Sequence, residues 1–529
     1  MKNKTIIFGN KLRSKIIAGI TKAAKAIKIT LGPKGRNVII EKKYDKPIIT
    51  KDGVTVAKEI ELKDKLENIG VQLLKEVALK TNETAGDGTT TATVITNAII
   101  KNGMKYIMLG IEPTQIKKEI DFYIKKTHKA LNQQSTKITN LAEIKSVSSI
   151  SANNDKKIGK LISTAIKKVG PEGVITIEEG KSTKDELDIV NGMQIDKGYL
   201  SPYFLGDSNK EKITLENAYV LICTDKINNF NELYTLLEEL AKKNKQLLII
   251  TEDIESEALN TLVINTLRGV IKTVAIKTPS FGEKKQVILE DISILTGANI
   301  INKNIGKGIK KATIQDLGIT QKIIIEKHKT TIFCEKSNNK KIQNRILFLK
   351  KKLIKTNSKF EIEKLKERIA KLTGGIAVIK IGGHSETEVK ERKYRIEDSL
   401  NATKAAIEEG ILPGGGIALF RISEQLKKYK KTNIKSIGLD IVYEAIRAPF
   451  KQILKNSDLE PRIVINKIKN NKQLGIDLIN NKYCNLIQKG IIDPKKVIKF
   501  ALLNAASIAT LVLTIGCAIT SEIKNTKKQ

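Results

Sequence analysis

A short acidic loop, GDGTTT at residues 86–91 of the stretch TNETAGDGTTTATVI, combines residue types that bind phosphorylated ligands. One helical pattern stops near residue 81 and another starts directly after the loop, so the unpaired N–H groups of a helix start would face a bound phosphate. The glycines beside Asp87 let the backbone approach a ligand, and a carboxylate suits Mg²⁺ that bridges phosphates. The loop therefore predicts a Mg–nucleotide cradle. An ordinary Gly-Asp-Gly turn with a threonine cap explains the same residues on local grounds, and no Walker-type Gly-Lys-Ser/Thr follows.

Three further turns carry residues that suit the same kind of site. TLGPKGRNVII at 30–40 is glycine-rich, TKDGVTVAKEI at 50–60 has a lysine and an aspartate at a turn, and LPGGGIAL at 412–419 contains three consecutive glycines. Because glycines permit close approach of the main chain to a ligand, these turns favour the nucleotide interpretation over the plain turn.

Helical patterns at both ends of the chain enclose a middle segment with strand patterns. In LENIGVQLLKEVALK, the apolar residues Leu66, Ile69, Leu73 and Val77 fall on one helical face. Strand and helix patterns alternate between about residues 170 and 280. This order predicts an α/β unit inserted into a discontinuous helical one.

One uncharged stretch, residues 501–520, is about long enough to span a bilayer. Polar residues recur within it, among them Asn504, Ser507 and Thr510. This pattern favours a helix buried inside the protein, and a lone C-terminal membrane span is the alternative.

The composition limits the classes of partner. The 529 residues are enough for about three or four domains, and the formal net charge is +37. Because lysine is spread over the whole chain and forms no basic arm, we expect no specific nucleic-acid partner and no membrane partner. The four cysteines are far apart in sequence, which fits a reducing compartment. With no signal-peptide core near the N-terminus, we expect a cytoplasmic location.

Several fragments, in this order and spacing, resemble the group I chaperonins, the bacterial GroEL family of 60 kDa chaperonins. Besides the four turns, they include ISANND, DELDIVNGMQIDKGYLSPYF, RIEDSLNATKAAIEEG and GIIDPKKV, and the resemblance runs from about Lys2 to about Glu522. It implies a multidomain α+β and α/β fold. A helical equatorial domain would be split between both chain ends, with a small hinge-like intermediate domain and an inserted α/β apical domain.

The resemblance also implies domain boundaries. The expected segments are equatorial 1–133, intermediate 134–190, apical 191–375, intermediate 376–408 and equatorial 409–529.

The resemblance further implies a Mg-dependent ATP hydrolase with a nucleotide site. Asp398 would position or activate the attacking water, assisted by Asp52, and Asp87 would hold Mg²⁺; K⁺ is a further expected cation. This division is chemically sensible, because phosphoryl transfer to water needs charge neutralisation and positioning more than covalent chemistry. The expected nucleotide-binding residues are Thr30, Leu31, Gly32, Pro33, Lys51, Asp87, Gly88, Thr89, Thr90, Thr91, Gly415, Asp477 and Asp493. Asp477 departs from the family, which has asparagine there.

The implied partners are non-native polypeptides, a GroES-like co-chaperonin lid and further copies of the chain in two stacked seven-subunit rings. Apolar residues of the middle domain would bind non-native chains and later the lid, because non-directional contact suits a site that accepts many sequences. These residues are Tyr199, Tyr203, Phe204, Tyr234, Leu237, Leu259, Val263 and Ile264.

Two alternatives come from other classes. One is a surface-attached binding protein that uses charge instead of ATP. The other is a metabolic kinase or hydrolase, although His128, His328 and His384 lie in no triad-like setting. Neither explains a resemblance along the whole chain.

Overall fold

The computed structural model describes residues 4–41, 47–170, 173–180, 182–206, 211–279, 283–303, 308–334, 339–355, 358–373, 375–427, 436–471 and 473–521. These residues form two compact units. The helical unit contains the described residues up to Thr164, residues 182–184, and those from Ile381 onward. The α/β unit contains the rest, between Ala165 and Lys380.

The elements are numbered in chain order. The first part of the chain forms β1 (Lys4–Phe8), α1 (Gly9–Lys28), β2 (Val38–Ile40), β3 (Ile48–Thr50), α2 (Gly53–Glu59), α3 (Lys65–Ala85), α4 (Thr89–Met108), α5 (Pro113–Gln134), α6 (Leu141–Ser151) and α7 (Lys156–Val169). The middle part forms β4 (Val174–Glu179), β5 (Glu186–Ile195), β6 (Lys212–Glu216), β7 (Tyr219–Cys223), α8 (Tyr234–Lys242), β8 (Leu247–Thr251), α9 (Ser256–Leu267), β9 (Thr273–Lys277), α10 (Glu283–Thr296), β10 (Ile300–Ile301), β11 (Gly318–Ile319), β12 (Lys322–Glu326), β13 (Thr330–Cys334), α11 (Asn339–Lys355), α12 (Lys359–Thr373) and β14 (Ile376–Ile381). The last part forms α13 (Glu386–Glu409), β15 (Ile411–Pro413), α14 (Ile417–Leu426), α15 (Ile437–Asn456), α16 (Pro461–Ile468), β16 (Leu474–Asp477), β17 (Lys482–Asn485), β18 (Ile492–Pro494), α17 (Lys495–Leu513) and β19 (Cys517–Ser521).

The core of the helical unit is made by helices from both ends of the chain. Buried aliphatic side chains of α1, α3, α4 and α5 pack with those of α14, α15 and α17 in one cluster. This arrangement confirms the fold class predicted from the sequence, a split helical part with an inserted α/β part.

Helix α3 illustrates how local signals set an element. The Asp64 carboxylate accepts hydrogen bonds from the N–H groups of Leu66 and Glu67 at the helix start, and Gly86 ends the helix with a left-handed backbone, φ 69°. Of the predicted apolar face, Leu66 and Val77 are buried, and Ile69 and Leu73 are only partly buried against the core. The expected end near residue 81 was wrong, because the Thr81 hydroxyl donates to the Val77 carbonyl within the helix and the chain stays helical to Ala85.

Helix α17 accounts for the uncharged stretch. Its residues are long and apolar enough in composition to cross a membrane, but 67% of that window is buried inside the protein. The Asn504 side chain donates to the Thr81 hydroxyl at 3.2 Å, within the helical core. The last residues of the stretch leave the helix and form β19, antiparallel to β1.

Two sheets form the framework of the α/β unit. In one, β10, β7, β8 and β9 are parallel neighbours in that order, and β11 adds antiparallel to β7. In this sheet α8, α9 and α10 are the crossovers, as the predicted alternation requires. The other sheet has the order β4-β14-β5-β13-β12-β6. The predicted intermediate domain was not tested: residues 134–164 and 381–408 lie in the helical unit, and its separate existence stays a prediction.

Candidate functional site

A cavity of about 1050 Å³ lies within the helical unit. Its wall brings together every residue predicted for nucleotide binding and hydrolysis, although these residues are spread over more than 460 positions of the sequence. They are Thr30, Leu31, Gly32, Pro33, Lys51, Asp52, Asp87, Gly88, Thr89, Thr90, Thr91, Asp398, Gly415, Asp477 and Asp493. The volume suits a ligand of nucleotide size.

The start of α4 forms one wall of the cavity. Gly88 caps this 20-residue helix with a left-handed backbone, φ 83°, which strongly favours glycine. No side chain caps the helix, so the partial positive charge of its N-terminus is directed at the cavity. A methyl group at Gly88 would also lie 2.5 Å from the Val497 Cγ1 atom. Glycine at this position therefore leaves the N–H groups of the first turn of α4 open to a ligand.

Gly53 keeps space open in front of the threonines. A Cβ atom at this position would lie 2.3 Å from the Thr90 hydroxyl oxygen and 2.9 Å from that of Thr89. The Thr90 hydroxyl also lies 3.3 Å from the hydroxyl of Thr30, whose own proton is donated to the Ile27 carbonyl. The cradle is therefore lined by hydroxyl groups, and any side chain at Gly53 would fill it.

Asp52 is held in a fixed orientation beside this cradle. Its carboxylate caps α2 by accepting hydrogen bonds from the N–H groups of Val54 and Thr55 at 3.0 and 2.9 Å. The Thr55 hydroxyl donates to it as well, at 2.6 Å. These three donors fix the orientation of the carboxylate.

Three further carboxyl groups of the cavity have raised pKa values. Burial raises the pKa of Asp87 to about 6, the nearby Asp52 charge adds to the shift, and the Gly88 N–H opposes it. Burial also raises the pKa of Asp398 well above its usual value, with contributions from Asp52 and Asp87. The pKa of Asp493 rises to about 7, again mainly through burial. A cation bound among these carboxyl groups would reduce the repulsion between their negative charges.

Helix α13 carries Asp398 into the cavity and is tied to α6. The Ser399 hydroxyl donates to the Ser148 carbonyl at 2.6 Å, and the Ser148 and Thr403 hydroxyls lie 2.9 Å apart. These bonds are buried, so they fix the rotation of α13 that directs Asp398 to the cavity. On sequence alone the same aspartate would be an ordinary carboxylate on a helix surface.

Asp477 and Asp493 lie in the part of the cavity wall formed by β16, β18 and their turns. The N–H groups of Gly416 and Gly415 hydrogen-bond the Asp493 carboxylate. Asp477 accepts from the N–H groups of Ile479 and Asn480 and from the Asn480 side chain at 2.7 Å. Burial alone would raise the pKa of Asp477, but these bonds and the nearby Lys489 outweigh it and lower the pKa. Much of its hydrogen-bonding capacity is thus used within its own turn.

The donor set fits Mg²⁺ bound together with a phosphorylated ligand. Among the described residues, no three His, Cys, Asp or Glu side chains are arranged to hold a metal ion by themselves. Mg²⁺ commonly binds through one or two carboxylates and takes its other oxygens from phosphates and water. Asp87, at an open helix start with a raised pKa, meets that requirement.

Comparison with known proteins gives the family. The family model of the TCP-1/cpn60 chaperonins matches residues 23–522. The chain belongs to the TCP-1/cpn60 chaperonin family. The chaperonin fold is also found in two crystal forms of the chaperonin gp146 from the bacteriophage EL 2 (Pseudomonas aeruginosa), both solved in the presence of ATP-BeFx. The TM-scores are 0.74 and 0.66 at 21% and 20% sequence identity, and each match covers 98% of this chain and 99% of the phage chain.

The α/β unit of this chaperonin carries the predicted apolar binding residues, and the structure divides them by exposure. Tyr203, Tyr234 and Ile264 are exposed, at 72%, 55% and 47%, while Tyr199 and Leu259 are partly buried against the core. The remaining three are buried side chains of that core: Phe204, Leu237 and Val263. In this conformation those three cannot contact a docked chain, because their side chains pack inside the unit.

Sequence reasoning missed Asn456, which positions a wall of the site. Its side-chain amide donates to the Lys28 and Leu31 carbonyls, both at 2.9 Å, and so fixes the turn before Gly32. Asn456 is the last residue of α15, more than 420 positions away along the chain. No local motif marks it, and only the fold brings it to the turn.

Proposed function

We propose that the chain is an ATP-dependent chaperonin of group I, which hydrolyses Mg–ATP and uses the cycle to bind and fold non-native polypeptides. The observation that carries the proposal is the convergence of the bare α4 start, Asp87 and Asp398 on one cavity of nucleotide size. The presence of ATP-BeFx in the crystals of the phage chaperonin supports a nucleotide as the ligand.

In the proposed site the phosphates lie at the start of α4. There the N–H groups of the first turn and the hydroxyls of Thr89, Thr90 and Thr91 bind their oxygens. The ribose and base extend toward Asp493 and Asp477, along the wall that contains Gly415 and the turn at residues 30–33. Asp87 would hold Mg²⁺, which would supply positive charge to neutralise the phosphates. K⁺ is included on the family resemblance alone.

Asp398 is the proposed base for the attacking water. Burial, together with the charges of Asp52 and Asp87, raises the pKa of Asp398, which makes its carboxyl a poorer proton donor and shifts it toward the neutral form. A cation held at Asp87 would lower the pKa of both carboxyl groups and so favour the ionised form of Asp398 that can accept a proton from water. Asp52, whose carboxylate is held in place by three hydrogen-bond donors, would help to position the water.

The proposed partners follow from the exposed apolar residues and the family. Tyr203, Tyr234 and Ile264 give the α/β unit an exposed apolar surface that suits non-native polypeptides and a co-chaperonin lid. We place the chain in two stacked rings of seven copies in the cytoplasm. Four cysteines without disulfide bonds agree with a reducing compartment.

Calorimetric titration with ATP tests the nucleotide site. Wild-type protein should bind ATP with Mg²⁺ present and more weakly in EDTA. Asp87→Asn should weaken binding in Mg²⁺ by about tenfold to a hundredfold, the loss expected for one charged ligand. The matched control is Asp188→Asn, which removes a carboxylate that pairs with Lys380 on a sheet of the α/β unit. Equal affinities for both variants in Mg²⁺ would remove Asp87 from the site.

Suppression of aggregation tests the client surface separately. A variant with Tyr203, Tyr234 and Ile264 all changed to serine should lose most of its ability to hold a chemically denatured protein in solution. Ile463→Ser, on the exposed surface of α16, should keep it. If both variants behave as wild type, clients bind elsewhere.

A further inference from the structure

We propose that the outer face of α11 binds an anionic lipid membrane surface. This face is defined by Leu347, Phe348, Lys350, Lys351 and Ile354, all exposed. The three apolar side chains are 56%, 57% and 84% exposed, and among the described residues Ile354 is the most exposed of the large apolar side chains. The proposal goes beyond the folding cycle and departs from the expectation of no membrane partner.

The inner face of α11 is fully engaged, so the outer apolar residues are not part of the core. Leu349 packs with Leu365 and Leu372 of α12 in a small buried cluster. Ile342 contributes to the main core of the α/β unit. Because the inner face is buried, the opposite side of the helix is exposed to solvent.

A buried ion network anchors α11 rigidly to the unit. Arg345 donates to Asp291 at 2.9 Å and to Glu290 at 2.7 Å. Arg368 of α12 donates to both oxygens of the same Asp291, whose side chain is only 1% exposed. The outer face is thus presented on a fixed support, which lowers the entropic cost of binding.

The arrangement of the outer face suits the headgroup region of a membrane better than a groove on another protein. Leu347 and Ile354 are seven residues apart, so they lie on one line about 10 Å along the helix. Lys350 and Lys351 stand between them, and the apolar and cationic groups share one face. Lysines can reach headgroup phosphates while neighbouring apolar side chains enter the acyl boundary.

Charge selects an anionic surface. The 17 residues of α11 contain six lysines and one arginine and no acidic residue. Near an anionic leaflet, each such cation strengthens binding. Repetition of the face on every copy of an assembly would add avidity.

Co-sedimentation with sucrose-loaded vesicles tests the proposal on the full assembled protein. Wild type should bind vesicles of phosphatidylcholine with a quarter phosphatidylglycerol, bind pure phosphatidylcholine weakly, and be released by salt. Lys350→Gln with Lys351→Gln should weaken binding to the anionic vesicles by about 30-fold at low salt, at about fivefold per lysine. Changing Leu347, Phe348 and Ile354 to serine should weaken it by at least about tenfold.

The matched control carries serine at Tyr203, Tyr234 and Ile264, a second set of exposed apolar residues on the same unit. It should bind anionic vesicles as wild type does, with all variants showing wild-type circular dichroism. Equal loss in the control would show general adhesion of apolar surface and overturn the proposal. The proposal would also be overturned if the α11 variants bind vesicles as wild type does, or if the protein binds soluble polyglutamate and not vesicles. A change in the size of the assembly when Leu347, Phe348 and Ile354 become serine would overturn it as well, because the face would then be a contact between copies.

Discussion

Replacing Asp493 by asparagine should stabilise the nucleotide-free protein at neutral pH. Burial, with a contribution from the Asp87 charge, raises the pKa of this carboxyl to about 7, against a reference value of 3.8. The folded state therefore retains a proton that the unfolded chain loses, so stability falls as pH rises from about 4 to about 7 and stays low above that. Asparagine carries no charge at any pH and removes this cost.

The magnitude follows from the shift. About three pKa units at 1.36 kcal/mol each correspond to a stabilisation of up to about 4 kcal/mol at pH 8, where the wild-type group is ionised in both states. At pH 5 only the share of the pKa difference between the reference value and pH 5 contributes, so the stabilisation by asparagine falls to about 2 kcal/mol. The same substitution should weaken Mg–ATP binding, because Asp493 faces the ligand in the proposed site.

Urea unfolding at pH 5 and pH 8, without nucleotide and at one protomer concentration, measures both gains. Asp477→Asn is the control, and its effect on stability should have the opposite sign. Hydrogen bonds and Lys489 lower its pKa, so the ionised group contributes stability above pH 4 that is lost only as pH falls through the folded pKa. This control should lose stability at both pH values. A gain for Asp493→Asn that is equal at the two pH values, or a loss at pH 8, would show that ionisation of the buried Asp493 does not destabilise the protein.

Three further predictions concern the fold around the two sites. Gly53→Ala should weaken Mg–ATP binding by at least about tenfold, because its methyl group would displace the Thr90 hydroxyl, and calorimetry showing wild-type affinity would contradict the cradle. Asp291→Ala leaves two guanidinium groups without their shared carboxylate and should destabilise the α/β unit by about 3–5 kcal/mol, which an unchanged melting temperature would disprove. Asn456→Ala should cost about 1–3 kcal/mol and raise the KM for ATP by freeing the turn at 28–31, so an unchanged KM would show that the turn holds itself.

Part of the cavity wall carries signals that are visible in the local sequence. Glycines beside Asp87, threonines at a helix start and the spacing of the turns are visible in short windows, and the structure brings them to one cavity. The end of α3 was misplaced because a threonine hydroxyl can bond within its own helix, and Gly86 stops the helix four residues later.

Other features depend on packing that no short window contains. The α8 and α9 patterns are apolar around much of the helix, so periodicity could not separate the buried Leu237 and Val263 from the exposed Tyr234 and Ile264. Asn456 reaches the site only through the contact between α15 and the end of α1. The role proposed for Asp398 rests only on the family resemblance, because no local pattern marks this residue and its position depends on the buried hydrogen bonds between α6 and α13.

Single-turnover hydrolysis of Mg–ATP by the ring-sized fraction, wild type beside Asp398→Ala, tests whether the chain is an ATPase with Asp398 as its base. We expect the variant to stay assembled and to bind Mg–ATP but to hydrolyse it at least about a hundredfold more slowly, the loss expected for a general base. Hydrolysis at the wild-type rate in the variant would remove Asp398 from the reaction. Failure of the wild-type assembly to hydrolyse ATP would contradict the proposed activity itself.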